Sequence, residues 1–237
     1  MKKIFLILPV LLVISSCSKL EELNLNKKDF ATVSGESLYN GATLQFINQL
    51  SNESVNSNVT LMWMQHFANT TYFDESRYDM TSRGIPVTTS NSMYRLVLNN
   101  YREAARVLKE QPLAGISQVQ RDNQLAIVEI MTIFAWSYVV ENFGDMPYTQ
   151  ALDYNYPSPA YDDALTIYKD LINRLDIAMN NITPSGGGMP AGYDNIFGAE
   201  DDEASMWYKF ANTLKVRMGL MLYDVEQSYS KTVVESA

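Results

Sequence analysis

Hydrophobic residues recur at spacings of three and four along most of the chain, a period typical of helices with one buried face. Alternation with a period of two, which would predict strands, does not extend over a useful length. The pattern therefore predicts an all-α protein whose helices cover residues 36–50, 59–69, 91–110, 117–142, 162–182 and 203–225.

Helices of this length joined by short loops predict stacked αα-hairpins, a tetratricopeptide-like arrangement without a strict repeat period. The predicted pairs are 91–110 with 117–142, and 162–182 with 203–225. Residues 125–140 are apolar on nearly all sides, which is typical of a helix surrounded by other helices. Interrupted by Glu129, this stretch is too short for a membrane span.

Several residues are predicted to begin or end these helices. Residues 88–90 are candidate N-caps of the third helix, and Asp162 is the candidate N-cap of the fifth. Gly144 follows the apolar helix at a position that favours positive φ. Trp63 is predicted to pack in the core, and residues 225–237 read as a polar tail without further structure.

The amino terminus has the three parts of a secretory signal. Lys2 and Lys3 are followed by an apolar run over 4–14 and two small residues before Cys17, the only cysteine in the chain. Residues 14–17 resemble a bacterial lipobox, which implies cleavage before Cys17 and acylation of this cysteine. Several acyl chains would hold the protein at a membrane. The alternative is an ordinary secretory signal with an incidental cysteine.

These features predict three segments: a lipoprotein signal peptide over 1–16, a lipidated tether over 17–34 and a helical domain over 35–237. The formal net charge of −9 argues against nucleic acid and against binding to an anionic lipid surface.

Catalytic chemistry has little support. The single histidine, His66, lies among apolar residues, and motifs for metal-dependent or nucleophilic hydrolysis are absent from the sequence. The acidic run 200–203 is explained by the positive end of a helix dipole, with a calcium site that includes Asp194 as the alternative. Residues 186–188 lack the lysine of a phosphate loop. We therefore expect no catalytic residues, no metal and no cofactor.

The loop 69–86 combines aromatic, acidic and basic side chains. Flat aromatic faces with nearby polar groups are typical of carbohydrate sites, and exposed aromatic residues in loops favour a functional interpretation. The candidate ligand residues are Tyr72, Asp74, Arg77 and Tyr78. The alternative is a solvated loop without a ligand.

Three stretches together resemble the SusD/RagB family: NYREA at 100–104, FGDMPYTQAL at 143–152 and WYKFANTLKVRM at 207–218. Their physical interpretation is structural, with helix ends, turns and bonds to neighbouring loops. The family-motif residues that we expect to support the scaffold are Phe143, Gly144, Asp145, Pro147, Tyr148, Trp207, Asn212 and Arg217. The resemblance covers about 17–225, which is the N-terminal part of a family member and implies a truncated chain.

The resemblance implies a lipid-anchored, surface-facing outer-membrane protein of the Bacteroidetes. Such proteins bind nutrients, glycans such as starch or else peptides, and deliver them to a TonB-dependent, SusC-like transporter. Two alternatives remain open: an envelope scaffold of helical-repeat type without a small ligand, and a carbohydrate-active enzyme.

Overall fold

The computed structural model describes residues 33–51 and 59–237. Cys17, the signal peptide and the tether up to residue 32 lie outside these ranges. The described residues from Ser34 onward form one compact unit. Its α-helices are α1 (Gly35–Ser51), α2 (Thr60–Trp63), α3 (Ile85–Ser92), α4 (Asn99–Glu110), α5 (Gln118–Phe143), α6 (Ala164–Asn180), α7 (Glu203–Met221) and α8 (Gln227–Glu235).

The prediction of an all-α fold is confirmed. Across the described ranges no strand forms, and the only β-type pairing is an isolated antiparallel bridge between Met146 and Asp162. Two further helical pieces are a 3₁₀ turn at Glu75–Arg77 and a π-helical segment at Met93–Leu98. Both predicted pairs of helices are in contact, α4 with α5 and α6 with α7.

Helix α5 is the centre of the fold. It packs against α4 and α6, and it also contacts α7 and α1. Of the described helices, α5 alone has the length and apolarity that could cross a membrane, but 72% of its most apolar window is buried within the protein. Contact with helices on several sides explains why nearly every face of α5 is apolar.

The third predicted helix begins earlier than residues 88–90 suggested. Helix α3 starts at Ile85, after Gly84 in the left-handed conformation, with a proline in its first turn. The π-helical segment Met93–Leu98 then joins α3 to α4 without a break. The prediction of caps at 88–90 is therefore wrong, because this stretch is already helical.

Side-chain caps fix the ends of α5 and α6. Ser117 accepts a hydrogen bond from the Gln120 N–H, and Asp163 accepts one from the Thr166 N–H. The cap of α6 is thus Asp163 rather than Asp162. The Asp162 carboxylate instead accepts hydrogen bonds from the backbone N–H groups of Tyr148 and Thr149. These hydrogen bonds lower the pKa of Asp162.

Two further expectations were wrong. The helix predicted over 59–69 is reduced to the single turn α2, and Trp63 is 36% exposed instead of buried. The tail expected to lack structure contains α8, which packs on α7 and buries Val233. One buried valine in a polar segment leaves no recognisable period, so the sequence pattern did not indicate this helix.

The loop between α6 and α7 is held by amide side chains of α5. The Asn123 Nδ2 donates to the carbonyl oxygens of Thr183 (2.9 Å) and Gly187 (2.6 Å), while its Oδ1 accepts from the Thr183 N–H (2.8 Å). Gln120 and Gln124 each donate to the Gly188 carbonyl oxygen. The glycine run is therefore a structural turn bonded to the central helix.

Gly144 ends α5 with φ 73° and ψ −130°, a combination that glycine adopts far more readily than other residues. Space for a methyl group is open there, so the cost of Gly144→Ala is conformational. We expect the substitution to lower the free energy of unfolding by about 1–3 kcal/mol, measured by urea titration. The matched control is Gly41→Ala within α1, where space is also open. That change is expected to stabilise the protein by about 0.5–1 kcal/mol. Equal effects of both substitutions would contradict the conformational argument.

Candidate functional site

The end of α2 and the segment between α2 and α3 carry exposed aromatic side chains, which we call the aromatic surface. Large solvent-exposed aromatic groups invite a functional interpretation when they cluster. Its members and their exposed fractions are Trp63 36%, Phe67 50%, Tyr72 71%, Phe73 44% and Tyr78 68%.

Trp63 and Tyr78 form the clearest ring pair of this surface. Their ring centroids are 5.4 Å apart and their planes are inclined by 30°. The Trp63 indole N–H donates to the Glu75 carbonyl oxygen at 3.0 Å, which fixes the orientation of the indole. Tyr78 ends the 3₁₀ turn in a left-handed conformation with φ 65°. Both rings are therefore held in place while they remain exposed.

A buried carboxylate anchors the loop beneath these rings. Glu75 is 1% exposed and pairs with Arg83, with 2.9 Å between Oε1 and Nε. The guanidinium of Arg83 lies 5.2 Å from the centre of the Tyr72 ring, and that of Arg77 lies 5.1 Å from the centre of the Phe73 ring. Cation–π contacts of this kind favour defined ring positions.

The structure places the four predicted ligand residues in different roles. Tyr72, Arg77 and Tyr78 are exposed on the loop, whereas Asp74 is half-buried at the start of the 3₁₀ turn. Tyr78 pairs with Trp63, and Tyr72 with Arg83. The four residues thus share one loop, but Tyr78, Tyr72 and Arg77 each contact a different partner, since Arg77 packs on Phe73.

A cleft of ≈ 440 Å³ opens beside Trp63, and we call it the Trp63 cleft. Its walls come from the end of α1, from α2, from the start of α3 and from the end of α5. Gln49 and Asn142 contribute amides, and Tyr138 and Phe143 contribute aromatic rings. Among the residues that the structure describes, the side chains that line it carry no charge. An uncharged cavity with aromatic walls and amides suits a neutral ligand rich in hydroxyl groups.

Phe143 and Trp63 line this cleft, although the sequence predicts other roles for both of them. Phe143, expected to support the scaffold, is 36% exposed and lies at the edge of the cleft. Trp63 was expected in the core. A helical period shows which face of a helix is apolar, but whether another element covers that face depends on tertiary packing.

The other family-motif residues of the FGDMPYTQAL stretch bond neighbouring elements. The Asp145 carboxylate accepts from the Ala164 N–H at the start of α6, and the Pro147 carbonyl oxygen accepts from the Tyr94 hydroxyl. The Tyr148 ring packs edge-on against Trp136 at 4.9 Å, and its hydroxyl bonds to Asp170 and Arg174. Burial raises the pKa of Tyr148 above its ordinary value.

The WYKFANTLKVRM stretch lies on α7. Trp207 is completely buried, Asn212 donates to the Ala237 carbonyl oxygen at 3.1 Å, and Arg217 pairs with Glu141 of α5. The expectation that Arg217 bonds a neighbouring loop is wrong, because its ion pair with Glu141 joins two helices.

The acidic run before α7 contributes one member of a buried carboxyl pair. Glu203 and Asp194 are 9% and 5% exposed, and a hydrogen bond joins their side chains. Burial, with a smaller effect of Asp194, raises the pKa of Glu203 to about 7. Within the part of the chain that the structure describes, no group of three or more histidine, cysteine or acidic side chains could hold a metal ion. His66 lies after α2 and is exposed.

Solved structures with the same helical fold include three that are informative. A chitin-binding protein superposes with a TM-score of 0.66 at 19% identity, covering 86% of this chain and 42% of that one. A protein titled Bacteroidetes AC2a SusD-like has a TM-score of 0.65 at 21% identity, with 86% and 36% covered. A SusD/RagB family protein from Bacteroides thetaiotaomicron VPI-5482 has a TM-score of 0.64 at 22% identity, with 86% and 42% covered.

The chain therefore spans about two fifths of the length of these solved proteins. No match was found among curated proteins. A family model with the description "starch-binding associating with outer membrane", SusD-like_2, matches residues 27–237. Because this match covers most of the sequence and the solved proteins share the helical fold, the chain belongs to the SusD-like family.

Proposed function

We propose that this protein binds carbohydrate at the outer membrane, and that the aromatic surface with the Trp63 cleft is its binding site. The observation that carries the proposal is the exposed Trp63–Tyr78 ring pair beside a cavity of ≈ 440 Å³ whose described lining residues are uncharged. Sugar rings present C–H groups to aromatic faces and hydroxyls to amides. The family description as starch-binding and a chitin-binding relative with the same fold support this ligand class.

The rigidity of the site supports binding without a large rearrangement. Tyr72 and Tyr78 have positive φ values of 64° and 65°, which are uncommon for residues other than glycine. Such conformations persist where surrounding contacts hold them, here the buried Glu75–Arg83 pair and the Trp63 indole hydrogen bond. Rings positioned in advance lose less conformational entropy when a ligand binds.

The wider role is part of the same proposal. Acylation at Cys17 would tether the protein to the outer membrane on its surface-facing side, and a bound glycan would pass to a TonB-dependent, SusC-like transporter. The lipobox at 14–17 and the description of the family as associating with the outer membrane support this role. The protein acts as a binding protein, and neither catalysis nor a cofactor is part of the proposal.

The test is direct binding of maltooligosaccharides and chitooligosaccharides by calorimetry. Tyr78→Ala is expected to weaken binding about two- to tenfold, because it removes one ring of the exposed pair. Since Tyr78 is 68% exposed, the free energy of unfolding should change little.

The matched control is Tyr208→Ala, which removes a tyrosine 42% exposed on α7, away from the lining of the cleft. It should leave affinity unchanged. Equal affinities of the wild type and Tyr78→Ala would place the ligand elsewhere. A wild-type protein that binds neither sugar series but still associates with the transporter would favour the scaffold alternative, and turnover of a glycan would favour the enzyme.

A further inference from the structure

A second cleft of ≈ 370 Å³ lies at the FGDMPY motif, and we call it the motif cleft. Its walls come from Ser90 of α3, from the π-helical segment through Tyr94, from the end of α5 and from the turn that follows. Tyr161 is 74% exposed and closes one side. The volume falls within the usual range of small-molecule sites.

Two backbone features indicate that the motif cleft is more than a packing defect. Tyr94 belongs to a π-helical segment, a rare conformation that is frequent at functional sites. Leu152, which also lines the cleft, has a φ of 62° although it carries a bulky side chain. Arg102 holds this strained position by donating to the Leu152 carbonyl oxygen. Strain kept in place by a dedicated contact is typical of binding sites.

The backbone beside Tyr161 is fixed even though its ring is exposed. Met146 and Asp162 exchange both backbone hydrogen bonds of their bridge, at 3.1 and 2.9 Å. Tyr161 immediately precedes this bridge. A flat ring on a fixed backbone offers a stacking face at low entropic cost.

The motif cleft shares aromatic walls with the Trp63 cleft but offers different polar groups. Phe143 and Tyr161 offer rings, Ser90 offers a hydroxyl, and Asp145 is the only charged side chain among the described residues of the lining. Because the described lining includes no basic side chain, an anionic ligand would meet the Asp145 carboxylate without a counter-charge from these residues. Aromatic faces with a hydroxyl and one carboxylate suit a neutral sugar.

The side chain of Phe143 is common to the linings of the two clefts, and we call it the Phe143 ridge. Phe143 lines both of them, and the consecutive residues Thr89 and Ser90 line one each. The shared residue and the consecutive positions show that the two clefts adjoin each other at Phe143.

We propose that the motif cleft is a second carbohydrate subsite, so that one neutral oligosaccharide crosses the Phe143 ridge and occupies both clefts. This proposal rests on carbohydrate binding at the Trp63 cleft. It adds a requirement for chain length, because a short sugar fills one cleft only while a longer chain gains contacts in the second.

The experiment measures the affinity of the purified protein for maltooligosaccharides and chitooligosaccharides, from disaccharide to hexasaccharide. The wild type should bind hexasaccharide more tightly than disaccharide. Tyr161→Ala should weaken hexasaccharide binding about two- to tenfold and so reduce the ratio of the two affinities. Tyr161→Phe, which keeps the ring, should preserve this ratio, and Tyr208→Ala serves as the surface control.

The outcomes separate the two proposals. If the wild type binds neither series, carbohydrate binding itself is wrong and the subsite falls with it. If the wild type binds but its affinity does not depend on length, or if Tyr161→Ala keeps the wild-type ratio, the second subsite is wrong while the Trp63 cleft remains. The second subsite is supported if Tyr161→Ala reduces the ratio of hexasaccharide to disaccharide affinity while Tyr161→Phe and Tyr208→Ala keep the wild-type ratio.

Discussion

Replacing Trp207 with alanine is expected to lower the free energy of unfolding by about 3–5 kcal/mol, the usual cost of truncating a buried large aromatic residue. Trp207 is completely buried, and its ring lies edge-on to Phe197 at 5.1 Å and to Phe210 at 5.3 Å. Its indole N–H also donates to the Asp194 carboxylate at 2.6 Å. The substitution therefore leaves a cavity and removes a hydrogen bond from a buried carboxylate.

Urea unfolding of two companion variants separates these contributions. Trp207→Phe keeps much of the apolar volume but loses the N–H donor, so it should cost less than alanine yet still about 1–3 kcal/mol. Tyr208→Ala removes the exposed neighbouring ring and should have an effect within about 0.5 kcal/mol. A loss below about 1 kcal/mol for Trp207→Ala would show that α7 is not part of the main core.

Glu203 is expected to make stability depend on pH. A Cβ on Gly188 would lie 2.4 Å from the Glu203 Cδ, so the carboxyl group is enclosed by the glycine turn. The Met189 N–H donates to Glu203 Oε1 at 3.0 Å, and the Asp194 side chain lies on the other side. Tyr39 of α1 also faces the pair, and burial raises the pKa of its hydroxyl so that it stays neutral.

The direction of the effect follows from the raised pKa. The folded protein holds the Glu203 proton up to about pH 7, whereas the ordinary pKa is 4.5. The contribution of Glu203 to stability is therefore complete below 4.5, its pKa in the unfolded chain. This contribution is lost as the pH rises through about 7, its pKa in the folded protein. The difference between a pKa of 4.5 and one of about 7 corresponds to roughly 3 kcal/mol. Glu203→Gln keeps the shape of the side chain and a hydrogen-bond donor toward Asp194. The variant should therefore show a weaker dependence of stability on pH and be more stable than the wild type at alkaline pH.

The measurement is a series of urea unfolding curves for both proteins across this pH range. Asp194→Asn is the contrasting variant, because Asp194 accepts hydrogen bonds from Trp207 and from the Ile196 N–H, and an amide would place a donor against a donor. It should destabilise the protein at every pH. Parallel pH profiles of the wild type and Glu203→Gln would contradict the role of Glu203.

Much of the helical framework could be predicted from periodicity alone. Helices α4, α5, α6 and α7 bury continuous stripes, so their apolar residues repeat in the sequence over several turns. Elements with few buried residues were missed or misplaced. Helix α8 buries Val233 and Ser230 but shows no apolar stripe, and α2 is shorter than its apolar residues suggested.

The candidate site was only partly visible in the sequence. The composition of the loop singled out Tyr72 and Tyr78, because aromatic residues are unusual in a polar segment. Their partners could not be found in this way. The Trp63–Tyr78 pair and the Glu75–Arg83 ion pair join positions whose relation depends on how the loop folds back.

The sequence by itself determined the helical class, the central position of α5 and the family. Periodicity, apolarity and motifs depend on residues that are close together in the chain, so they can be recognised without the tertiary structure. Only the tertiary structure decided that Trp63 is exposed, that Phe143 separates two clefts and that Glu203 is buried against Asp194. Exposure, cavities and raised pKa values arise from side chains that meet across distant parts of the chain. These contacts depend on how the helices pack, so they cannot be predicted from a local sequence pattern.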